Sequence, residues 1–178
     1  MLFRSLPYLE GERTPNVPAG TGVLLGLNQR TYSPEHLARS AMEGVTMGMN
    51  FGLRRLVELG VKPTQIRATG GGAKSKAWRQ IMADVFNAEA VTLKVAEGAA
   101  YGAALQALWC WRREQGEKVT IQEITNQFIE INKEETAHPE AKNVTVYKEW
   151  QALQDEMSVS LRGIFVKHRQ FVTGGKNE

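Results

Sequence analysis

Two aspartates and one cysteine in 178 residues are the sparsest features of this sequence, and each scarcity excludes something. A single cysteine, Cys110, rules out an intrachain disulfide and fits a reducing, cytoplasmic compartment. Flanked by Leu108, Trp109 and Trp111, it reads as a small buried hydrophobe rather than a nucleophile. Asp84 falls mid-helix and Asp155 in a C-terminal helical pattern, so neither has the loop setting of a general base. The histidines His36, His138 and His168 are far apart and share no ligand spacing, which leaves no metal site. No apolar run reaches the roughly 20 residues that span a bilayer, and the longest uncharged stretch is Gly98 to Trp111. Met1 to Tyr8 is too short an apolar run for a signal peptide. The net charge of +3 is small and scattered, with no aromatic-basic stripe, so nucleic acid and membrane partners are not expected. No internal repeat or low-complexity segment is present.

What is present suffices for a domain with a core: 42% of residues are hydrophobic. Leu2 to Gly20, with three prolines, reads as loop; Val23 to Leu27 is a short strand. Ser33-Pro34-Glu35 is a helix start, and the helix runs to Leu59 with Gly60 as its stop. Gly44, Gly48 and Gly52 lie on one side of it and call for a packing reason, the close approach of a neighbouring strand or helix. Then follow a strand (Ile66 to Thr69), a helix (Ser75 to Phe86), a strand (Val91 to Lys94), a corner (Val95 to Glu97) and a helix (Glu97 to Arg113). This alternation predicts an α/β fold with parallel pairing. Thr120 caps a helix over Ile121 to Phe128, and Lys133 to Asn143 reads as polar loop. A last helix over Val144 to His168 has Tyr147, Trp150, Leu153, Met157, Leu161 and Ile164 on one stripe and a solvated opposite face, and Thr173 to Glu178 is a frayed end.

The most informative stretch is Ile66 to Gln80, IRATGGGAKSKAWRQ. It reads as strand, glycine turn and helix start. Gly70, Gly71 and Gly72 remove every Cβ at the crossing, and Ser75 caps a helix whose positive end faces the turn. Such a corner suits a nucleotide, and it equally suits a tight turn with no ligand.

The run resembles the adenosine-binding motif of the FGGY family of carbohydrate kinases. Gly22-Val23-Leu24-Leu25-Gly26-Leu27, eight residues, then His36-Leu37-Ala38-Arg39-Ser40-Ala41-Met42-Glu43 fits that family's C-terminal signature. Leu6 to Pro15, LPYLEGERTP, resembles a segment typical of xylulose kinases, and Glu97 to Ala104, EGAAYGAA, is similar to the family's small-residue helix. The four matches are collinear from about Leu6 to Leu108.

The resemblance implies part of an actin-like ATPase (ribonuclease H-like) domain, with helices on a short parallel sheet and a helical C-terminal tail. Residues 1–32 would then be loop and short strands near the interdomain cleft, 33–113 the nucleotide-binding core, and 114–178 a helical extension. It implies ATP and Mg²⁺ as cofactors and transfer of the γ-phosphoryl group to a sugar hydroxyl, with D-xylulose as the substrate. A kinase for gluconate or another pentulose, and a non-catalytic nucleotide-binding or interaction module, are the alternatives. Gly70, Gly71, Gly72 and Ala73 would hold the nucleotide, and Gly72→Val is expected to abolish binding without unfolding the protein. Lys76 falls where a family member carries an adenine-contacting asparagine; its roles here are a cap, a phosphate contact or a plain surface lysine. Glu12 and Arg13 would lie near the cleft, either contacting phosphate or pairing to hold their loop. The catalytic aspartate belongs to a part of the family's chain before the matched region. The missing N-terminal part is thus the implied partner, with a homodimer left open. The chain alone is expected to be inactive, and the strand Ile66 to Thr69 to have an unpaired edge.

Overall fold

The computed structural model describes residues 3–95 and 98–174. In chain order the elements are β1 (Arg4–Pro7), β2 (Gly22–Leu25), α1 (Pro34–Glu58), β3 (Gln65–Ala68), a 3₁₀ turn (Gly71–Lys74), α2 (Lys76–Phe86), β4 (Glu89–Leu93), α3 (Gly98–Glu114), α4 (Ile121–Phe128), β5 (Ile131–Ala137), α5 (Ala141–Ser160) and α6 (Arg162–Val172). They group into two units. One comprises the chain up to Pro63, Asp84–Asn87 and the chain from Glu140; the other comprises Thr64–Ala83 and Ala88–Pro139.

In the first unit, Ser33 accepts a hydrogen bond from the His36 N–H at 3.3 Å and Pro34 opens α1. Gly60, at φ +94°, closes it. Against this helix lies an antiparallel ribbon, β1 on β2, with Leu6 opposite Val23. Arg4–Pro7 is thus a strand within the stretch expected as loop, its hydrogen bonds supplied by β2. Leu6, Tyr8, Val17, Ala19, Met157 and Phe165 form the core.

Gly44 meets the packing expectation: a Cβ there would lie 2.5 Å from the Ser5 carbonyl oxygen. Gly48 and Gly52 do not. A Cβ on either meets nothing within 4 Å. Instead they line a groove of about 320 Å³ with Pro7, Tyr8, Glu12, Thr14, Val45 and Met49.

The last helical stretch divides at Leu161 into α5 and α6, beside Gly163, which weakens helix continuity. Its inward face is the apolar stripe only in part. Leu153 and Ile164 are 44% and 59% exposed, whereas Gln151, Gln154 and Ser158 are buried with Tyr147 and Met157. Hydrogen bonding selects that face. Gln154 donates to the Gly44 carbonyl at 3.3 Å, and the hydroxyls of Ser158 and Tyr8 lie 2.8 Å apart.

In the second unit, β3 pairs parallel with β4, and β5 pairs antiparallel on the other side of β4. The β3–β4 pairing is the parallel one expected, and among the described residues β3 has a partner on one side only. Of the loop expected over Lys133 to Asn143, the part up to Ala137 belongs to β5 and the part from Ala141 to α5. A strand at a sheet's edge keeps polar residues such as Lys133, Glu134 and Glu135 because one side stays in water. Thr120 caps α4, as the sequence suggested, in a reciprocal capping box with Glu123. Cys110 is exposed rather than buried, since α3 turns Leu105 inward and leaves Trp111 56% exposed. Part of the Val95 to Glu97 corner, the expected Glu97 helix start and the end of the tail lie outside the described residues.

Candidate functional site

The glycine stretch of the second unit folds as read, and each glycine has its own reason. β3 ends at Ala68, and Gly70 follows at φ +82° and ψ −169°, a region essentially closed to side chains. The Ala73 N–H donates to the Gly70 carbonyl and the Ser75 N–H to the Gly72 carbonyl, both at 3.2 Å, which closes the 3₁₀ turn. Ser75 Oγ accepts from the Trp78 N–H at 3.3 Å and caps α2. Gly71 is exposed, and a Cβ on it would meet nothing within 4 Å. Gly72 differs: a Cβ there would meet the Trp78 ring at 2.9 Å. Its missing side chain makes room for tryptophan, so Gly72→Val would press on the Trp78 ring as well as on the turn.

Beside the turn is a cavity of about 60 Å³. Thr69, Gly70, Ala73 and Lys74 form one wall, and Thr92 and Glu135 face them. It sits at the C-terminal ends of the parallel pair β3–β4, where open α/β sheets place ligands. Lys76 is exposed in the first turn of α2.

Two residues here escaped the sequence reading. Arg79, 5% exposed, donates from Nη1 to the Ala73 carbonyl at 2.6 Å. Glu135 Oε2 lies 3.7 Å from that nitrogen and accepts from the Thr92 hydroxyl at 2.9 Å. Glu135 carried no signal while its segment read as loop. Arg79 carried only its place one turn after the Ser75 cap.

Glu12 and Arg13 belong to the first unit. Glu12 Oε1 accepts from the backbone N–H groups of Arg13 at 2.7 Å and Thr14 at 3.1 Å, and Arg13 is exposed. The aspartates are committed to structure. Asp84 accepts from the Glu140 N–H at 2.8 Å and from Asn143 at 3.0 Å, and Asp155 pairs with Arg54. Among the described residues no group of three His, Cys, Asp or Glu is placed to hold a metal. The backbone at Gly70 and Gly71 is open beside the cavity.

The family model for the FGGY family of carbohydrate kinases, C-terminal domain, matches residues 2–111. This chain belongs to the FGGY family. It is 38% identical over 143 residues to a xylulose kinase of Haemophilus influenzae, a match covering 80% of this chain and 28% of that protein. Among solved structures it is similar to a xylulose kinase from Lactobacillus acidophilus (TM-score 0.80, 30% identity, 93% of this chain and 32% of that one). A gluconate kinase from the same organism is similar at TM-score 0.79 and 29% identity, with the same coverage of both chains. The fold is that of the sugar kinases' C-terminal domains, the actin-like ATPase fold. The chain spans about a third of the length of these FGGY relatives. No helix among the described residues is long and apolar enough to cross a membrane.

Proposed function

We propose that this chain is the nucleotide-holding, C-terminal part of a cytoplasmic FGGY kinase that phosphorylates D-xylulose to D-xylulose 5-phosphate, working with the part of the kinase that precedes the matched region. The observation that carries this reading is the Gly70–Gly71 backbone, open beside a cavity at the C-terminal ends of β3 and β4. A cavity of about 60 Å³ admits one edge of a nucleotide, and the rest would lie along Gly70 and Gly71. Ser75 fixes the start of α2 there, with its positive end toward the turn. Lys76, exposed one position on, is free to reach a phosphate or the base edge. ATP, when bound, supplies the γ-phosphoryl group. Mg²⁺ ligands and the base that takes the sugar's proton fall to the preceding part of the kinase, as do the groups with which Glu12 and Arg13 would close the cleft. Gluconate is the second reading, favoured by the similarity to the L. acidophilus gluconate kinase.

A split-enzyme assay tests this. The chain is mixed with the part of the H. influenzae xylulose kinase that precedes the matched region, with D-xylulose, ATP and Mg²⁺. Turnover that depends on the chain and is lost with Gly71→Val supports the reading; no turnover, or full turnover with Gly71→Val, sinks it. The same mixture built on the gluconate kinase, with gluconate, decides between the sugars.

A further inference from the structure

The Gly70–Lys74 segment holds three consecutive glycines, and glycine gives up more backbone freedom on ordering than any other residue. A turn left to fluctuate would charge that entropy to every binding event, and a turn already fixed would not. The second unit fixes it with a clasp drawn from three elements. Arg79, on α2, reaches back to the Ala73 carbonyl at 2.6 Å. Glu135, on β5, stands 3.7 Å from the same guanidinium nitrogen. Thr92, on β4, donates its hydroxyl to that carboxylate at 2.9 Å and so orients it. Ala73 is 5% exposed, and its N–H holds the Gly70 carbonyl, so the tethered peptide sets the direction of the Gly70–Gly71 backbone.

We propose that Arg79 and Glu135 are positioning residues that preorganise the glycine turn for the nucleotide. This rests on reading the turn as the nucleotide site. A buried guanidinium is a costly way to fill space, since an aliphatic side chain would pack there without desolvating a charge. Ser75 already caps α2, so the helix start does not need Arg79. What Arg79 adds is a charged hydrogen bond to the carbonyl of Ala73, the residue whose N–H closes the turn on Gly70. Glu135 is half-exposed, lines the cavity and holds the guanidinium on line from the side a ligand would approach.

The test uses the full chain, with ADP as the probe, and two readouts: amide hydrogen exchange over Gly71–Ser75, and ADP affinity by calorimetry. Arg79→Gln, too short to reach the Ala73 carbonyl, should speed exchange at Ala73 and Ser75 about tenfold and weaken ADP about tenfold, with β4 and α4 amides unchanged. Arg79→Lys, which keeps a charged donor, should recover most of that affinity. Glu135→Gln, which still accepts from Thr92 but lacks the charge, should weaken ADP about threefold. A folded Arg79→Gln chain with wild-type exchange at the turn overturns the proposal. So does a loosened turn with unchanged ADP affinity. Gly71→Val separates the two readings: if it leaves ADP binding intact, the site itself is misplaced, whereas if it abolishes binding while Arg79→Gln and Glu135→Gln do not weaken it, only the clasp fails. Absence of ADP binding by the wild-type chain overturns both.

Discussion

Gly70 is a glycine because φ +82° with ψ −169° is closed to side chains; Gly72 is one because a Cβ there would meet the Trp78 ring at 2.9 Å. Gly71 has neither reason, and its open side is what a ligand would use. Substitution should separate the three. Gly70→Ala is expected to cost about 1–3 kcal/mol through backbone strain. Gly72→Ala should cost about 1–3 kcal/mol through overpacking against Trp78, with a change in tryptophan fluorescence. Gly71→Ala should lie within about 0.5 kcal/mol of wild type. Urea unfolding of the three variants checks this, and equal losses at all three would contradict the assignment. The sequence showed that a Cβ-free corner was needed, and three identical letters could not say which glycine answered to φ, which to a neighbour and which to open space. That distinction is tertiary, because the Trp78 ring must fold back before Gly72 acquires its constraint.

The contact between α1 and α5 in the first unit is a polar seam. Glu43, 3% exposed, accepts from the Tyr147 hydroxyl at 3.0 Å and from Arg39 Nε at 2.7 Å. Burial, and then the Glu43 charge, raise the Tyr147 phenol well above its ordinary range. The neutral phenol is thus favoured in the folded state. Its contribution is complete below the unfolded tyrosine value of about 10 and declines as pH rises beyond it. Arg4, lowered by burial to about 10, moves stability the opposite way over the same window, so a variant comparison is needed to isolate Tyr147. Tyr147→Phe is expected to lose about 1–2 kcal/mol at pH 7.5, where Glu43 is left short of a donor, and to lose less than wild type on going to about pH 10.5. Denaturant unfolding at the two pH values measures both; a gap between variant and wild type that does not narrow at high pH would refute the linkage. This seam also explains why the α5 face was misread in part. Apolar periodicity chose Leu153 along with the buried Tyr147 and Met157, whereas the polar part of the buried face is set by partners more than a hundred positions away, as for Gln154 and the Gly44 carbonyl. β5 was missed for a related reason: INKEETA is a strand only because β4 offers it an edge. The caps at Ser33, Ser75 and Thr120 were legible because their hydrogen bonds span three residues.

At the scale of the whole molecule, the motifs from Leu6 to Leu108 pointed to the family, since their residue types are fixed by local turns and close approaches, whereas the tail is fixed by packing. Both aspartates are engaged within the chain, at Asn143 and Arg54, so phosphoryl transfer from this chain alone is not expected. A coupled assay with D-xylulose, ATP and Mg²⁺ on the purified chain should show no turnover above background, and turnover would contradict the division of roles between the two parts. The sheet of the second unit makes a further demand. β3 is hydrogen-bonded to β4 along Gln65–Ala68, and among the described residues nothing pairs with its other side. Ile66 is half-buried there, Arg67 is the strand's one charge, and no proline or bulge blunts the edge. Unpaired N–H and C=O groups beside an apolar side chain accept any extended segment that reaches them. Relatives about three times as long have further chain to supply such a segment. Without one, the chain should pair with itself, exchange elements, or gain stability when the preceding part of the kinase is added. Light scattering across a concentration series, with hydrogen exchange on the β3 amides, measures this. Mass should rise above 19.8 kDa with concentration, and the β3 amides should become protected in step. A stable 19.8 kDa monomer at tens of micromolar, with β3 protected at every concentration, would show that the edge is closed within the chain and that β3 is not where a partner strand enters.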